Sequence, residues 1–165
     1  MLSIKGALAF STNIARYDRL SPMKPPKTRQ ALEAYLEACP QENAFLRTEF
    51  VAALAPASYS AITRALAALV RDGVLIRVGY GAYVRAARDD GPDERFVYPA
   101  CSDRAYTQEL LIKMGISPRT DSVTRAYNEN RSTQVPAWLA FDVGRSRITR
   151  KIGFGKRILQ YERSH

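Results

Sequence analysis

Residues 45–85 read FLRTEFVAALAPASYSAITRALAALVRDGVLIRVGYGAYVR. The apolar residues at the start of this stretch recur on one side of a short helix, until Pro56 ends it. A second apolar stripe follows at helical spacing and consists of Ile62, Leu66, Leu69 and Val70. Ser58 or Ser60 can cap this second helix, and Gly73 can end it. The stretch therefore predicts two short helices joined by a turn that contains Pro56.

A β-hairpin is predicted directly after the second helix. Residues 74–78 and 82–85 are strand-like runs on either side of Gly79-Tyr80-Gly81, a turn whose glycines can take positive φ. Two helices followed by a hairpin are the order of a winged helix-turn-helix domain, whose second helix enters the major groove of DNA. The alternative is a hairpin that only packs on the rest of the protein. Basic and aromatic residues near the turn favour DNA binding.

The polar face of the second helix supplies the candidate DNA contacts. It combines small side chains with hydroxyl and guanidinium donors, which suit base edges and phosphates. We expect Thr63 and Arg64 to reach bases or adjacent phosphates. We expect Arg77 and Arg85 to reach phosphates, with Tyr80 against the sugar–phosphate wall. The predicted DNA-binding residues are Ser58, Tyr59, Ser60, Thr63, Arg64, Arg71, Arg77, Tyr80 and Arg85.

The charge balance also indicates a polyanionic partner. The chain of 165 residues carries 25 Lys and Arg against 16 Asp and Glu, a net charge of +9. Residues 1–88 contain twelve basic and six acidic side chains, and residues 119–165 contain ten and four. Residues 89–118 contain three basic and six acidic side chains. Two basic modules separated by an acidic connector are therefore predicted.

We predict an α+β protein with two folded parts. Residues 1–27 are expected to be a disordered or loosely packed arm, and residues 28–88 the winged helix-turn-helix domain, beginning with a helix at 28–39. Residues 89–95 are expected to be an acidic, solvated linker between modules that each bury their own core. Residues 96–165 are expected to be a small C-terminal α+β domain with an antiparallel sheet. Its predicted elements are a short strand at 96–98, helices at 102–114 and 122–129, and a meander of strands at 135–143, 147–154 and 157–163.

Several classes of chemistry are disfavoured by the composition. The single histidine, His165, is the last residue, which argues against a Ser–His or Cys–His triad and most zinc sites. Cys39 and Cys101 lack CxxC spacing, and we expect reduced thiols in a cytoplasmic protein. No apolar run approaches the ~20 residues of a membrane span. We expect no catalytic residue, no metal and no cofactor.

A second distinctive stretch occupies residues 126–153. It contains Ala126-Tyr127-Asn128, then RSTQVP at 131–136, and SRITRKIG at 146–153. Together with the run LVRDGVLIRVGYGAYV at 69–84, this stretch resembles the AbiE-type (type IV) antitoxin-like family of bacterial proteins. The similarity covers roughly residues 28 to 163, and the C-terminal motifs are its more distinctive part.

The resemblance implies a bacterial antitoxin that represses its own operon. The N-terminal domain would bind operator DNA, while the C-terminal domain would counter a nucleotidyltransferase-like toxin without a stable complex. The surface assigned to this second activity consists of Arg131, Ser132, Thr133, Gln134, Arg147, Arg150 and Lys151. Residues 131–134 can be interpreted either as the rim of a binding site or as a solvated loop, and the sequence does not distinguish the two.

Three alternative functions remain open at this stage. They are a stand-alone transcriptional regulator, an RNA-binding protein that uses the basic C-terminal sheet, and an interaction module that neutralises a toxin by direct contact. The sequence also leaves open whether the chain is a monomer or a homodimer.

Overall fold

The computed structural model describes residues 27–91 and 95–164. Within these ranges the chain is mixed α+β, with five helices and mostly antiparallel strand pairs, which confirms the predicted class. The predicted N-terminal arm lies outside the described residues, apart from Lys27, which begins the first helix.

The helices start and end at local signals in the sequence. Ser58 and Ser102 each accept a hydrogen bond from the backbone N–H three residues later, at 3.2 and 3.3 Å. Gly73 and Gly115 follow two of the helices with φ of 67° and 77°, a conformation that favours glycine. The five helices are α1 (Lys27–Ala38), α2 (Arg47–Ala53), α3 (Tyr59–Arg71), α4 (Asp103–Lys113) and α5 (Ser122–Asn128).

A four-stranded antiparallel sheet forms the centre of the molecule. It consists of β1 (Ala44–Leu46), β2 (Leu75–Gly79), β3 (Ala82–Asp90) and β4 (Arg95–Pro99). Strands β1 and β2 pair with the first half of β3, and β4 pairs with its second half. The sequence did not predict β1, because a buried three-residue strand has no alternation to detect.

Both faces of this sheet are buried, which the sequence did not predict either. Alternate residues such as Phe45, Leu75 and Tyr83 pack with α1, α2 and α3 in one core. The residues between them pack in a second core with α4 and the C-terminal segment. That second core contains Ala44, Leu46, Ile76, Val78, Ala82, Val84, Tyr106, Leu110, Leu111, Leu139, Phe141, Val143, Ile152 and Leu159.

The acidic segment at 89–95 is not the solvated hinge that its composition indicated. Asp89 and Asp90 end β3, Arg95 begins β4, and the two strands pair from Ala86 with Pro99 to Asp90 with Arg95. The expectation of separate cores is wrong for the same reason. The pairing of β3 with β4 joins the two halves, and the second core draws residues from both of them.

The prediction of an antiparallel meander in the C-terminal half is also wrong. Strand β6 (Ala140–Asp142) pairs antiparallel with β5 (Arg119–Thr120) but parallel with β9 (Gln160–Glu162). A separate two-stranded ribbon is formed by β7 (Gly153–Phe154) and β8 (Arg157–Ile158).

Residues 147–151 are irregular and do not form the predicted basic strand. Side chains satisfy the carbonyl groups that a neighbouring strand would otherwise satisfy. The Tyr161 hydroxyl donates to the Arg150 carbonyl at 2.5 Å. The Arg163 guanidinium donates to the Ser146 and Ile148 carbonyls at 3.1 and 2.8 Å.

Candidate nucleic-acid interface

Helix α3 presents one exposed polar stripe. Ser60, Arg64, Ala67 and Arg71 are all exposed, and their spacing of four, three and four residues places them on one side of the helix. The opposite side is buried through Ile62, Ala65, Leu66 and Leu69. Among the described residues, α3 packs mainly on α1, α2 and β2, so the exposed stripe stays uncovered by the C-terminal half.

Thr63 does not belong to this stripe. Its hydroxyl is buried and has no hydrogen-bond partner among the described residues. Position 63 is half-buried, at the border between the exposed stripe and the buried side of the helix. The prediction that Thr63 reads a base is therefore wrong for this conformation, and Arg64 remains the central polar residue of the stripe.

The two arginines of the stripe differ in their electrostatics. The Arg71 Nε atom is 3.3 Å from Asp72, and Arg29 binds the same carboxylate at 2.5 Å. These two guanidinium groups lower the pKa of Asp72, with the Arg29 hydrogen bond as the largest cause. Arg64 donates only to the carbonyl of Ser60, at 3.4 Å. Its charge has no carboxylate partner among the described residues.

The turn between β2 and β3 lies next to the C-terminal half. Tyr80 lies at the tip of this turn and is 66% exposed. Arg77 is exposed on β2, where its Nε donates to the Gly79 carbonyl at 3.2 Å. Gly79 forms a β-bridge with Ile152, and a Cβ atom at position 79 would lie 2.6 Å from the Lys151 carbonyl oxygen. The turn therefore packs closely on residues 151–152 while its tip stays exposed.

Arg85 is not available for phosphate contact. Its guanidinium donates to the carbonyl groups of Leu36, Cys39 and Glu42 at 2.6, 2.7 and 2.6 Å. It also lies over the ring of Phe45, 5.2 Å from its centroid. Leu36 lies in the last turn of α1, and Cys39 and Glu42 follow that helix, where the helix dipole favours a cation. The prediction that Arg85 contacts DNA is therefore wrong. Arg85 connects α1 to the central sheet through hydrogen bonds.

We expect Arg85→Met to destabilise the protein by about 2–3 kcal/mol, because half-buried carbonyls would lose a charged donor. Urea denaturation followed by circular dichroism measures this change. Arg77→Met is the matched control on the neighbouring strand and should change the free energy of unfolding by less than about 0.5 kcal/mol. Equal stabilities for the two variants would contradict the structural role of Arg85.

Arg47 is a central residue that the sequence analysis missed. Its guanidinium lies between the rings of Tyr59 and Tyr80, 5.5 and 5.3 Å from their centroids, and donates to the Tyr59 hydroxyl. Its Nε atom is buried without a hydrogen-bond partner among the described residues. The three residues are distant in sequence, so periodicity could not reveal the cluster. Of the predicted contacts nearby, Tyr59 is 55% exposed, while the Ser58 hydroxyl caps α3.

A groove of about 760 Å³ lies beside this aromatic cluster. We call it the central groove. Its walls come from α2, the start of α3, the β2–β3 turn, the end of α4 and residues 146–150. Apolar side chains from both halves of the chain line it, together with Arg47, Lys113 and Arg150.

Lys113 forms a charge cluster at the end of α4. Its ammonium group lies 2.5 Å from Glu42, 2.8 Å from Glu49 and 3.9 Å from Glu109. It also donates to the Ala44 carbonyl at 2.7 Å. Burial works against the charge of Lys113, but the hydrogen bonds that its ammonium group donates to Glu42 and Glu49 prevail and raise its pKa. The cluster connects α4 to α2 and to the start of β1.

The predicted toxin-facing residues occupy two separate places. Residues 131–134 lie in the loop after α5, where Arg131 pairs with Glu129 and the Ser132 hydroxyl accepts from the Gln134 N–H at 3.1 Å. Thr133 and Gln134 are exposed, as are Arg147 and Lys151. Arg150 is half-buried in the wall of the central groove, with its Nη1 atom 3.8 Å from the Met114 sulfur. No hydrogen bond or ion pair within the described ranges joins the two groups.

Comparison with known proteins gives no family for this chain. No protein-family model matches it, and no curated protein matches it at a significant level. Residues 27–91 and 95–164 contain no group of three or more His, Cys, Asp or Glu side chains placed to hold a metal ion. None of the helices in that part of the chain is both long and apolar enough to cross a bilayer.

Proposed function

We propose that the chain is a winged helix-turn-helix protein that binds duplex DNA through α3. The observation that carries the proposal is the uncovered stripe of Ser60, Arg64, Ala67 and Arg71, which combines small side chains with guanidinium groups on one side of α3. Such a stripe fits the major groove, because the small residues permit close approach and the arginines can bind guanine edges or phosphates.

The order of elements supports the same proposal. Helices α2 and α3 are joined by residues 54–58, and the β2–β3 hairpin follows α3 directly, with Arg77 exposed beside its turn. In helix-turn-helix proteins the second helix enters the major groove and neighbouring elements contact the backbone. We assign base or phosphate contacts to Arg64 and phosphate contacts to Arg71 and Arg77. Tyr80 would pack against the sugar–phosphate wall.

Arg64→Gln should weaken binding to the DNA upstream of the chain's own coding sequence by about 1–3 kcal/mol, if Arg64 makes a bidentate base contact. Fluorescence anisotropy with that duplex and with a random duplex measures the change. Thr63→Val is the control one position earlier. Because the Thr63 hydroxyl is buried, this variant should keep the affinity of the wild type.

Two outcomes would contradict the assignment of α3. Arg64→Gln could retain full affinity for both duplexes, which would mean that α3 is not the reading helix. Alternatively, Thr63→Val could reduce affinity as much as Arg64→Gln does, although both variants unfold like the wild type. In that case the loss would not come from the exposed stripe.

The resemblance to AbiE-type antitoxins supports a finer role. In this role the protein represses its own operon as a DNA-bound monomer or homodimer in the bacterial cytoplasm. Its C-terminal half counters a nucleotidyltransferase-like toxin encoded beside it. The exposed side chains of Thr133, Gln134, Arg147 and Lys151 are available for such an activity. Co-expression of the chain with a neighbouring nucleotidyltransferase-like toxin gene tests this role. The chain should restore growth of the host cells that the toxin arrests. Growth arrest that persists would contradict the antitoxin role and would favour a transcriptional regulator without antitoxin activity.

A further inference from the structure

The central groove combines an apolar interior with a lining whose charged side chains are all basic. Its volume of about 760 Å³ is within the range of small-molecule sites, roughly 300–1,000 Å³. Val51, Met114, Ile116 and Ile148 give it aliphatic and thioether walls. Such walls favour a ligand with an apolar body, because binding removes the apolar surface of both from water.

The charges that line the groove do not cancel. Three basic residues line it and no acidic residue does. Lys113 binds Glu42, Glu49 and Glu109, none of which lines the groove. Arg47 and Arg150 have no carboxylate within ion-pair distance in the described part of the chain, so their charges are left for a ligand.

Arg47 adds a second reason to expect an acceptor. Its Nε atom is buried and has no hydrogen-bond partner among the described residues. Its planar guanidinium is held in place between Tyr59 and Tyr80. The guanidinium also donates to the hydroxyl groups of Tyr59 and Tyr83, and a guanidinium fixed in this way is well suited to a carboxylate. Arg150 offers a second guanidinium, which contacts only the Met114 sulfur within the described residues.

We propose that the central groove binds a small carboxylic acid with an apolar body. The carboxylate pairs with the guanidinium groups of Arg47 and Arg150, and the apolar body lies against Val51, Met114, Ile116 and Ile148. Tyr59 begins α3 and Tyr80 lies in the β2–β3 turn, so the ligand also contacts both elements to which DNA contacts are assigned. The site itself goes beyond the proposed function and does not depend on it.

Isothermal titration calorimetry on the intact chain, without DNA, tests the site directly. The probes are 2-naphthoate and decanoate, each with its neutral amide as the matched comparison. We expect one acid molecule to bind per chain for at least one probe, and its amide to bind about tenfold more weakly or worse. Binding of neither acid, or equal binding of the acid and its amide, would overturn the proposal.

Two pairs of variants locate the binding. Arg150→Gln should weaken binding of the acid about tenfold, whereas Arg147→Gln, an exposed arginine outside the groove on the same segment, should not. Ala52→Trp should fill the groove and abolish binding, whereas Ala53→Trp on the same helix, outside the groove, should not. Binding that survives both Arg150→Gln and Ala52→Trp would place the acid elsewhere and overturn the proposal. Because no DNA is present, failure of the DNA-binding proposal would leave these results unchanged.

Discussion

Neither half of the chain should fold when the chain is divided between residues 91 and 95. The second core combines six side chains from β1, β2 and β3 with eight from residues after β4. A fully buried aliphatic or aromatic side chain contributes about 1.5–3 kcal/mol. Exposing even half of this core would therefore cost a free energy comparable to the ~5–15 kcal/mol that stabilises a typical domain.

Expression of residues 27–91 and 95–165 as separate polypeptides tests this expectation. Each should lack a cooperative thermal transition and near-UV circular dichroism. The control is the full-length chain with a protease site introduced between residues 91 and 95, which should keep its cooperative transition after cleavage while the halves remain together. A separate 27–91 fragment that unfolds cooperatively would contradict the need for the shared core. It would support the original prediction that the N-terminal domain folds independently.

Lys113→Met should lower the free energy of unfolding more than any of the other single substitutions of charged residues described above. It would leave the carboxylates of Glu42, Glu49 and Glu109 without their common cation in a partly buried site. Breaking a buried ion pair by removing one partner costs about 3–5 kcal/mol. Urea denaturation measures the loss, and the exposed Lys151 provides the control variant Lys151→Met. A loss below about 1 kcal/mol would fall in the range of surface ion pairs and would contradict the role of the cluster.

The contribution of Lys113 to the free energy of unfolding should decrease at high pH. Folding raises the pKa of Lys113 above its ordinary value of 10.5. The contribution of its charge is therefore fully present below that pH and is lost as the pH rises through the folded pKa. The difference in stability between the wild type and Lys113→Met should shrink above pH 10.5. A difference that stays constant through this range would mean that the ammonium charge is not the stabilising feature.

The sequence predicted the helices well because their signals are local. Ser58 caps α3 and Gly73 follows its end, as expected from residue type and spacing alone. The stripe around Arg64 was also predictable, because helical periodicity separates it from the buried Leu66 and Leu69.

Contacts between residues distant in sequence account for the errors at Arg85 and Arg47, whereas composition misled the prediction for Asp89 and Asp90. Arg85 was assigned to DNA because it is charged and follows a hairpin turn, but three carbonyls near the end of α1, more than 40 positions away, bind its guanidinium. Asp89 and Asp90 were assigned to a linker because they are acidic, although pairing with β4 places them in a strand. The Arg47 cluster was missed because Tyr59 and Tyr80 come near Arg47 only in the folded chain.

The direct test of the DNA-binding proposal is the salt dependence of binding by the intact chain. The measurement compares the wild type with the triple variant Arg64→Gln, Arg71→Gln, Arg77→Gln on one duplex between 50 and 200 mM salt. Each phosphate contact contributes about −0.9 to the slope of log K against log salt concentration. If all three arginines contact phosphates, the triple variant should have a slope shallower by about 2–3 units. An unchanged slope, or a wild type that binds single-stranded RNA as tightly as duplex DNA, would contradict the proposal that α3 and the hairpin form a duplex-binding surface.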